Sequence, residues 1–326
     1  MFEASSADVR RLRTFESCAF EAAATFNAVE LSPVVPLGAT ACGGVDPNNV
    51  LAAVRFAEAA ADPAVGLTVH AALDRLRHRA ATTDTRRWCT SQRVLRLQPT
   101  NVPGFTPHFR LFALLTATRS AARAVDASCE HAALVEQLAV WAQAIDTLAD
   151  HGFRFSGLRV VLSETSLVHA ALRAQNADGG QLSRQARAHV PGSTEAALAR
   201  ANVSVPREAE DLVGAVDALQ LDGQARRRAR TLVDEVGLPL QRAWPGLQVV
   251  YDLGRLQGLE YYEGPFIQLV ARRDDGFEMP IGDGGALPWL GEMLSDRRER
   301  LVVTGVGAEA CVKMFDAVSP SPARTQ

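Results

Sequence analysis

Apolar and polar positions alternate at helical spacing over residues 7–27, with Arg10, Arg11 and Arg13 on the wet side, and predict an amphipathic first helix. Residues 29–37 are β-branched and proline-rich, which fits a short strand or sheet edge. The pattern over 46–61 predicts a second helix, with Asp46 as cap, Pro47 in the first turn and Val50, Leu51, Val54, Ala57 and Ala61 on one face. Residues 66–80 continue as helix. Strand-like runs follow at 94–97 and 109–118, joined by a loop with three prolines and a glycine, so the two should pair antiparallel.

Leu134, Leu138, Trp141, Ile145 and Leu148 then step by three or four across about four turns of helix, which Gly152 ends. Residues 158–163 read as a buried strand and 167–174 as a short helix. Residues 176–245 are polar, helical in pattern and broken by Gly179-Gly180, Pro191-Gly192, Pro206 and Gly237, the pattern of a helical insertion. Strands resume at 247–251, 261–272 and 301–304, a last helix starts near Gly307, and the tail 317–326 reads as disordered. The expected architecture is α+β: a mostly antiparallel sheet flanked by helices, its domain split into 1–175 and 246–316 around the insertion at 176–245.

Composition narrows the function. The 326 residues carry a net charge of −3, so no global basic field points to nucleic acid. Five dispersed cysteines form no disulfide framework or zinc motif, and neither a long apolar run nor a signal-peptide core appears; a soluble cytoplasmic protein is expected, with no membrane partner. Lys313 is the sole lysine among 34 Lys and Arg residues, and its neighbours suggest no Schiff-base chemistry.

The richest candidate chemistry lies in Asp252-Leu-Gly-Arg-Leu-Gln-Gly-Leu-Glu-Tyr-Tyr-Glu-Gly264. Glycines allow close backbone approach, Tyr261 and Tyr262 each offer an apolar face and a hydroxyl, and Glu260 can fix an ammonium or a ribose. A tight turn with two half-buried tyrosines accounts for the same residues without a ligand.

Four motifs in order carry a resemblance. Leu95-Arg-Leu-Gln-Pro with His108-Phe-Arg-Leu-Phe112 resembles motif 2 of class II aminoacyl-tRNA synthetases. Gln257-Gly-Leu-Glu-Tyr-Tyr-Glu-Gly264 resembles the R-G-L-D-Y-Y-T-G of the histidyl-tRNA synthetase branch, Gly282-Asp-Gly-Gly285 its glycine turn, and Gly305-Val-Gly-Ala-Glu309 motif 3. The lead-in Asp252-Leu-Gly-Arg-Leu-Gln-Gly258 also resembles the D-L-G-x-L-x-G of the regulatory subunit of ATP phosphoribosyltransferase, a paralogue that does not aminoacylate.

The resemblance implies a class II catalytic domain, ATP and Mg as cofactors, and a homodimer formed through the motif 1 region, with 29–37 as a candidate apolar contributor. It assigns phosphate contacts to Arg96 and Arg110, and ligand contacts to Gln98, Gln257, Glu260, Tyr261, Tyr262, Gly284, Gly285 and Glu309. The departures are chemical. Ala310 stands at the motif 3 arginine, Gln257 at the arginine of R-G-L-D-Y-Y and Gln98 at the adenine-contacting glutamate. Losing charge-assisted phosphate contacts slows adenylation by orders of magnitude. Arg255 is the candidate replacement, since alternation along an extended segment would put it on the same face as Gln257. The histidine-binding signatures read Leu114-Leu-Thr-Ala-Thr118 and Pro47-Asn-Asn-Val50, without the groups that would hold an imidazole and an ammonium. The chain ends about 10 residues after the motif 3 helix, where synthetases append an anticodon-binding domain, which argues against tRNA as a partner.

His70, Asp74 and His78 share a helix face, but the outer pair would sit about 12 Å apart, so no metal site is expected. Asp283 could hold magnesium or belong to a turn; Asp274-Asp275 reads as a hairpin turn, and the run Arg226 to Arg230 as a solvated face. Two functions remain. One is a regulatory or accessory subunit that binds a small molecule, an amino acid or a nucleotide, and works with a partner enzyme. The other is an ATP-dependent amino-acid-activating enzyme using Arg96, Arg110, Arg255 and Glu309.

Overall fold

The computed structural model describes residues 3–53, 56–78, 85–97, 105–120, 127–186 and 192–317. In chain order the elements are α1 (Val9–Ala22), β1 (Asn27–Ala28), β2 (Val34–Pro36), α2 (Ala39–Cys42), β3 (Ala52–Ala53), β4 (Ala57–Ala59), α3 (Pro63–Arg77), β5 (Arg86–Leu95), β6 (His108–Arg119), α4 (Ser128–Asp150), β7 (Gly157–Glu164) and α5 (Thr165–Ala174). They continue with α6 (Gly179–Gln185), α7 (Ser193–Arg200), α8 (Leu212–Ala218), α9 (Gly223–Leu232), α10 (Leu238–Ala243), β8 (Gln248–Tyr251), β9 (Pro265–Arg272), β10 (Glu278–Leu287), α11 (Trp289–Leu294), β11 (Glu299–Gly307) and α12 (Ala308–Phe315).

Eight strands form one sheet in the order β1-β5-β6-β11-β10-β9-β7-β8, antiparallel except for the two edge pairs β1–β5 and β7–β8. The expected α+β class with a mostly antiparallel sheet holds. Period-two alternation divides each strand between two cores. Phe112, Leu114, Ile267, Leu269, Val302 and Val306 pack with α1, α4 and α12, where Trp141 and Phe315 are fully buried. Ala113, Leu115, Phe266, Leu301 and Val303 face the other way and pack with α3, α5, α7 and α11. Aspartates start the helices with their side chains: Asp8, Asp62, Asp178, Asp211 and Asp222 each accept a first-turn backbone N–H. Among the described residues no helix is long and apolar enough to cross a membrane.

Three expectations fail. Where a helix is expected over 46–61, the described residues form a single 3-10 turn, Pro47–Asn49, capped by Asp46, followed by β3 and β4, with β4 pairing both β2 and β3 in a three-stranded sheet; Val54 lies outside the described residues. Alanine is indifferent enough that strand pairing and the burial of Glu58 decide the conformation. Glu58, 3% exposed, accepts the N–H groups of Gly38 and Thr40 at 2.8 and 2.7 Å. The glycine turn at 282–285 is the middle of β10, an inner strand. Its glycines are required by close approach: a Cβ on Gly284 would lie 2.4 Å from the Val303 carbonyl oxygen, and one on Gly285 2.7 Å from that of Pro265. Finally, the strand expected from 261 begins at Pro265, because Tyr261 and Tyr262 close a turn with their N–H groups on the Gly258 carbonyl at 3.0 and 2.9 Å.

Candidate active site

The candidate cleft lies over the glycine-bearing middle of the sheet, on the face shared with α3 and α11. Across one row stand Thr90, Ala113, Gly305, Asp283 and Gln268; across the next, Leu115, Val303, Gly285 and Phe266. Small residues keep this floor low, and Asp283 rises from it exposed. The segment after β8 forms the wall. Gly258, at φ +84, allows the backbone to fold back, and its missing side chain makes room for the Tyr262 ring, which would sit 2.9 Å from a Cβ.

Tyr262 stacks on Phe266 at 5.6 Å between centroids and meets Tyr261 edge-on at 4.8 Å; Tyr261 meets Trp289 edge-on at 5.3 Å. Gly44 lets Tyr261 lie close, since a Cβ there would be 2.7 Å from its ring. Burial pushes both phenol groups well above their ordinary range. Asp62 and Asp283 add to the shift at Tyr261, and Asp283 and Tyr261 at Tyr262.

The expected site residues fall into three groups. Arg96, Arg255, Tyr261, Tyr262 and Gly285 share the cleft face or its floor, whereas Gly284, across from Thr304 and Ile267, turns to the other face of the sheet. Arg96 donates from Nη2 to Asp62 Oδ2 at 2.9 Å and from Nε to the Ala61 carbonyl at 2.8 Å, so its charge is engaged within the fold. Burial raises the Asp62 pKa, Arg96 and the Ala64 N–H oppose that, and Asp283 adds to it. Arg255 is 5% exposed; its guanidinium lies 4.8 Å from the Phe266 centroid, and Nε and Nη1 have no hydrogen-bond partner. Burial lowers its pKa, opposed first by Asp283 and then by Tyr262 and Asp252.

A second group lies on the opposite face. Register places Arg110 directly across from Arg93, and it bonds the Ser91 carbonyl at 3.1 Å with Glu16 of α1 at 3.5 Å. Glu309, 1% exposed, is held by Arg93 at 2.6 Å, Lys313 at 3.5 Å and the Ser5 hydroxyl at 2.5 Å. Period-two alternation is the reason: Phe109 supports Arg96 on one face, so Arg110 must point to the other.

In the third group, Glu260 is exposed with its carboxylate over Gly180 of α6, and Gln257 sits half-buried in the turn. Segment 257–261 is a turn rather than extended, so alternation does not align Gln257 with Arg255. Gln98 lies outside the described residues. Sequence reasoning missed Asp62, Trp289 and Gly44, which arrive from remote segments, and left Asp283 between a magnesium ligand and a turn residue. Asp62-Pro63 at a helix start was the one local signal.

These residues do not fit a magnesium triphosphate. The cations a triphosphate needs are not in place: Arg96 is engaged by Asp62 and Ala310 offers no donor at the motif 3 position, although the cleft carboxylates Asp62 and Asp283 are the ligand type magnesium takes. Among the described residues no group of three or more His, Cys, Asp or Glu is placed to hold a metal.

The sheet order and the helical cover of both its faces give the chain the fold of a class II aminoacyl-tRNA synthetase catalytic domain. More particularly, the fold is shared with histidyl-tRNA synthetase and the regulatory subunit of ATP phosphoribosyltransferase. An ATP phosphoribosyltransferase regulatory subunit/histidyl-tRNA synthetase from Bacillus halodurans C superposes with a TM-score of 0.69 at 14% identity, covering 96% of this chain and 82% of that one. A histidine–tRNA ligase subunit from Alicyclobacillus acidocaldarius gives 0.67 at 15% identity, covering 96% and 94%. Histidyl-tRNA synthetase from Nostoc sp. PCC 7120 gives 0.65 at 13% identity, covering 94% and 72%. No protein-family model matches the sequence, and no curated protein matches it.

Proposed function

We propose that the chain is a ligand-binding regulatory or accessory subunit built on a histidyl-tRNA synthetase-like domain, acting with a partner enzyme rather than adenylating an amino acid. One contrast carries the reading. The groups that would grip ATP phosphates are dispersed or engaged, with Arg96 on Asp62, Arg110 and Glu309 on the far face and Ala310 without a donor. The cleft nevertheless keeps paired tyrosines and a buried, unsatisfied Arg255. That arrangement offers recognition groups for a small ligand but not the set of cations that in-line attack on a triphosphate needs. The regulatory subunit among the structural neighbours supports a partner enzyme.

The test is amino-acid-dependent pyrophosphate exchange across the proteinogenic amino acids, run beside thermal-shift screening of small metabolites. No exchange, together with at least one stabilising ligand, is expected. Exchange that disappears in Arg96→Ala would establish the activating enzyme instead, the second reading, which Arg255 favours as a spare cation. A homodimer belongs to the same proposal: Val34, Leu37, Leu51 and Phe56 are exposed around the three-stranded sheet, Phe56 by 87%. Light scattering that reads a monomer at micromolar concentration would refute it.

A further inference from the structure

Asp252 and Arg255 lie three residues apart beside the cleft and bear on each other electrostatically, but the hydrogen bonds of Asp252 go to Arg207 of the helical insertion and to the Gly254 N–H. Arg207, from the connection between α7 and α8, bonds Asp252 side-on: Nε lies 3.1 Å from Oδ2 and 3.3 Å from Oδ1, and Nη2 lies 2.9 Å from Oδ2. Asp252, 2% exposed, also accepts the Gly254 N–H at 2.7 Å, while Arg207 is steadied by Glu195 of α7. A fork-to-carboxylate pair of this kind is the strong form of the interaction. Arg255 is left buried on the Phe266 ring with two donor nitrogens unpaired.

A desolvated cation without an acceptor is destabilising, so its survival points to a use outside the apo chain. The groups bearing on Arg255 are Asp283 from β10, the Tyr262 phenol, Asp252 and Arg207. A carboxylate matches the guanidinium fork and carries one charge. A phosphate would bring more charge against Asp283 and Asp62. Resting on the ligand-binding reading above, we infer that the cleft takes a small carboxylate on Arg255, and that Arg207 is the positioning residue that keeps Asp252 from quenching it. The insertion thereby sets the charge available to the ligand, and Asp283 remains for a donor or cationic part of the same molecule.

The test is titration calorimetry on the full chain with glycine and acetate, their amides, and inorganic phosphate at one ionic strength. The carboxylates bind and the amides do not, with phosphate weaker. Arg255→Gln lowers carboxylate affinity by about tenfold to a hundredfold, the worth of one charge-assisted contact. Arg207→Gln lowers it in the same direction, because Asp252 then turns to Arg255. Adding Asp252→Asn to Arg207→Gln restores binding, and Asp252→Asn alone binds at least as tightly as the parent, since the amide oxygen still accepts the Gly254 N–H. A purely structural Arg207–Asp252 pair predicts loss in all three, with no rescue.

The inference is overturned if carboxylate affinity is unchanged in Arg255→Gln or Arg207→Gln, if Asp252→Asn loses it while circular dichroism shows a folded protein, or if phosphate binds more tightly than the carboxylates. If the parent binds no carboxylate yet another metabolite stabilises it, this inference falls and the ligand-binding reading stands. If nothing stabilises it, both fall.

Discussion

The two faces of the central sheet treat buried charge differently. On the α1–α12 side every acid near the old motif positions has a partner: Glu309 is shared by Arg93, Lys313 and Ser5, and Glu16 by Arg13, Ser91 and Arg110. On the cleft side Arg255 is buried on an aromatic ring with two free donor nitrogens. Charges with an oppositely charged partner hold a fold together, even where, as at Arg110 Nε, one nitrogen stays unbonded. A charge without one lowers stability, and its survival points to use outside the apo chain. Motif resemblance alone would have ranked Glu309 and Arg110 above Arg255; partner accounting reverses that order.

The sharpest break of this contrast is Glu309→Ala. It leaves Arg93 and Lys313 facing each other without their common acid, and should destabilise the fold by about 3–5 kcal/mol in chemical denaturation. A cost below about 1 kcal/mol would place Glu309 among groups kept for something other than stability. Gly284→Ala tests the close packing of β10 against its neighbours: the added methyl meets the Val303 carbonyl, and a loss of roughly 1–3 kcal/mol follows from overpacking. An unchanged midpoint would mean that β10 can shift freely.

Arg255→Met should move the other way. It keeps the contact with Phe266, removes the unpaired charge and raises stability by about 1–2 kcal/mol while abolishing the ligand response. Lower stability with the response intact would make Arg255 a structural residue.

The smallest effects are in pH. At Glu58 burial pushes the pKa up, but bonds to Thr40 and Gly38 outweigh it and the net value is lowered. Glu58 therefore contributes stability above the ordinary carboxylate pKa, and that contribution is lost as pH falls through the lowered folded value. Asp62 has a raised pKa, so its contribution is full below the ordinary carboxylate pKa and is lost as pH rises through the raised folded value. Thermal melts across that acidic range should flatten at the low end in Glu58→Gln and at the high end in Asp62→Asn. Profiles superposing on the parent would remove these two groups from the account.

Much of the sheet and of the helix α4 was legible because packing there follows one period: Leu134, Leu138, Trp141, Ile145 and Leu148 lie buried as spaced. β10 was not legible, because Gly-Asp-Gly-Gly is turn chemistry in isolation and becomes a strand only when neighbouring backbones leave no room for side chains. The helix expected over 46–61 failed where alanine-rich sequence yields to tertiary pairing. In the site, the tyrosine turn announced itself through local glycines. Asp62, Trp289 and Arg207 come from separate segments, and no spacing rule connects them to Tyr261 or Asp252.

The parallel pairing of β7 with β8 has a consequence for how this chain can be altered. Parallel neighbours cannot be joined by a tight hairpin and need a crossover of at least about a dozen residues. Here the crossover is α5 together with the helices α6 to α10, so the helical segment is the hinge-pin of the sheet's outer edge and not a detachable ornament. Cutting it out without a replacement bridge would cast off β8, and the wall residues that follow directly from β8 would lose their anchorage with it.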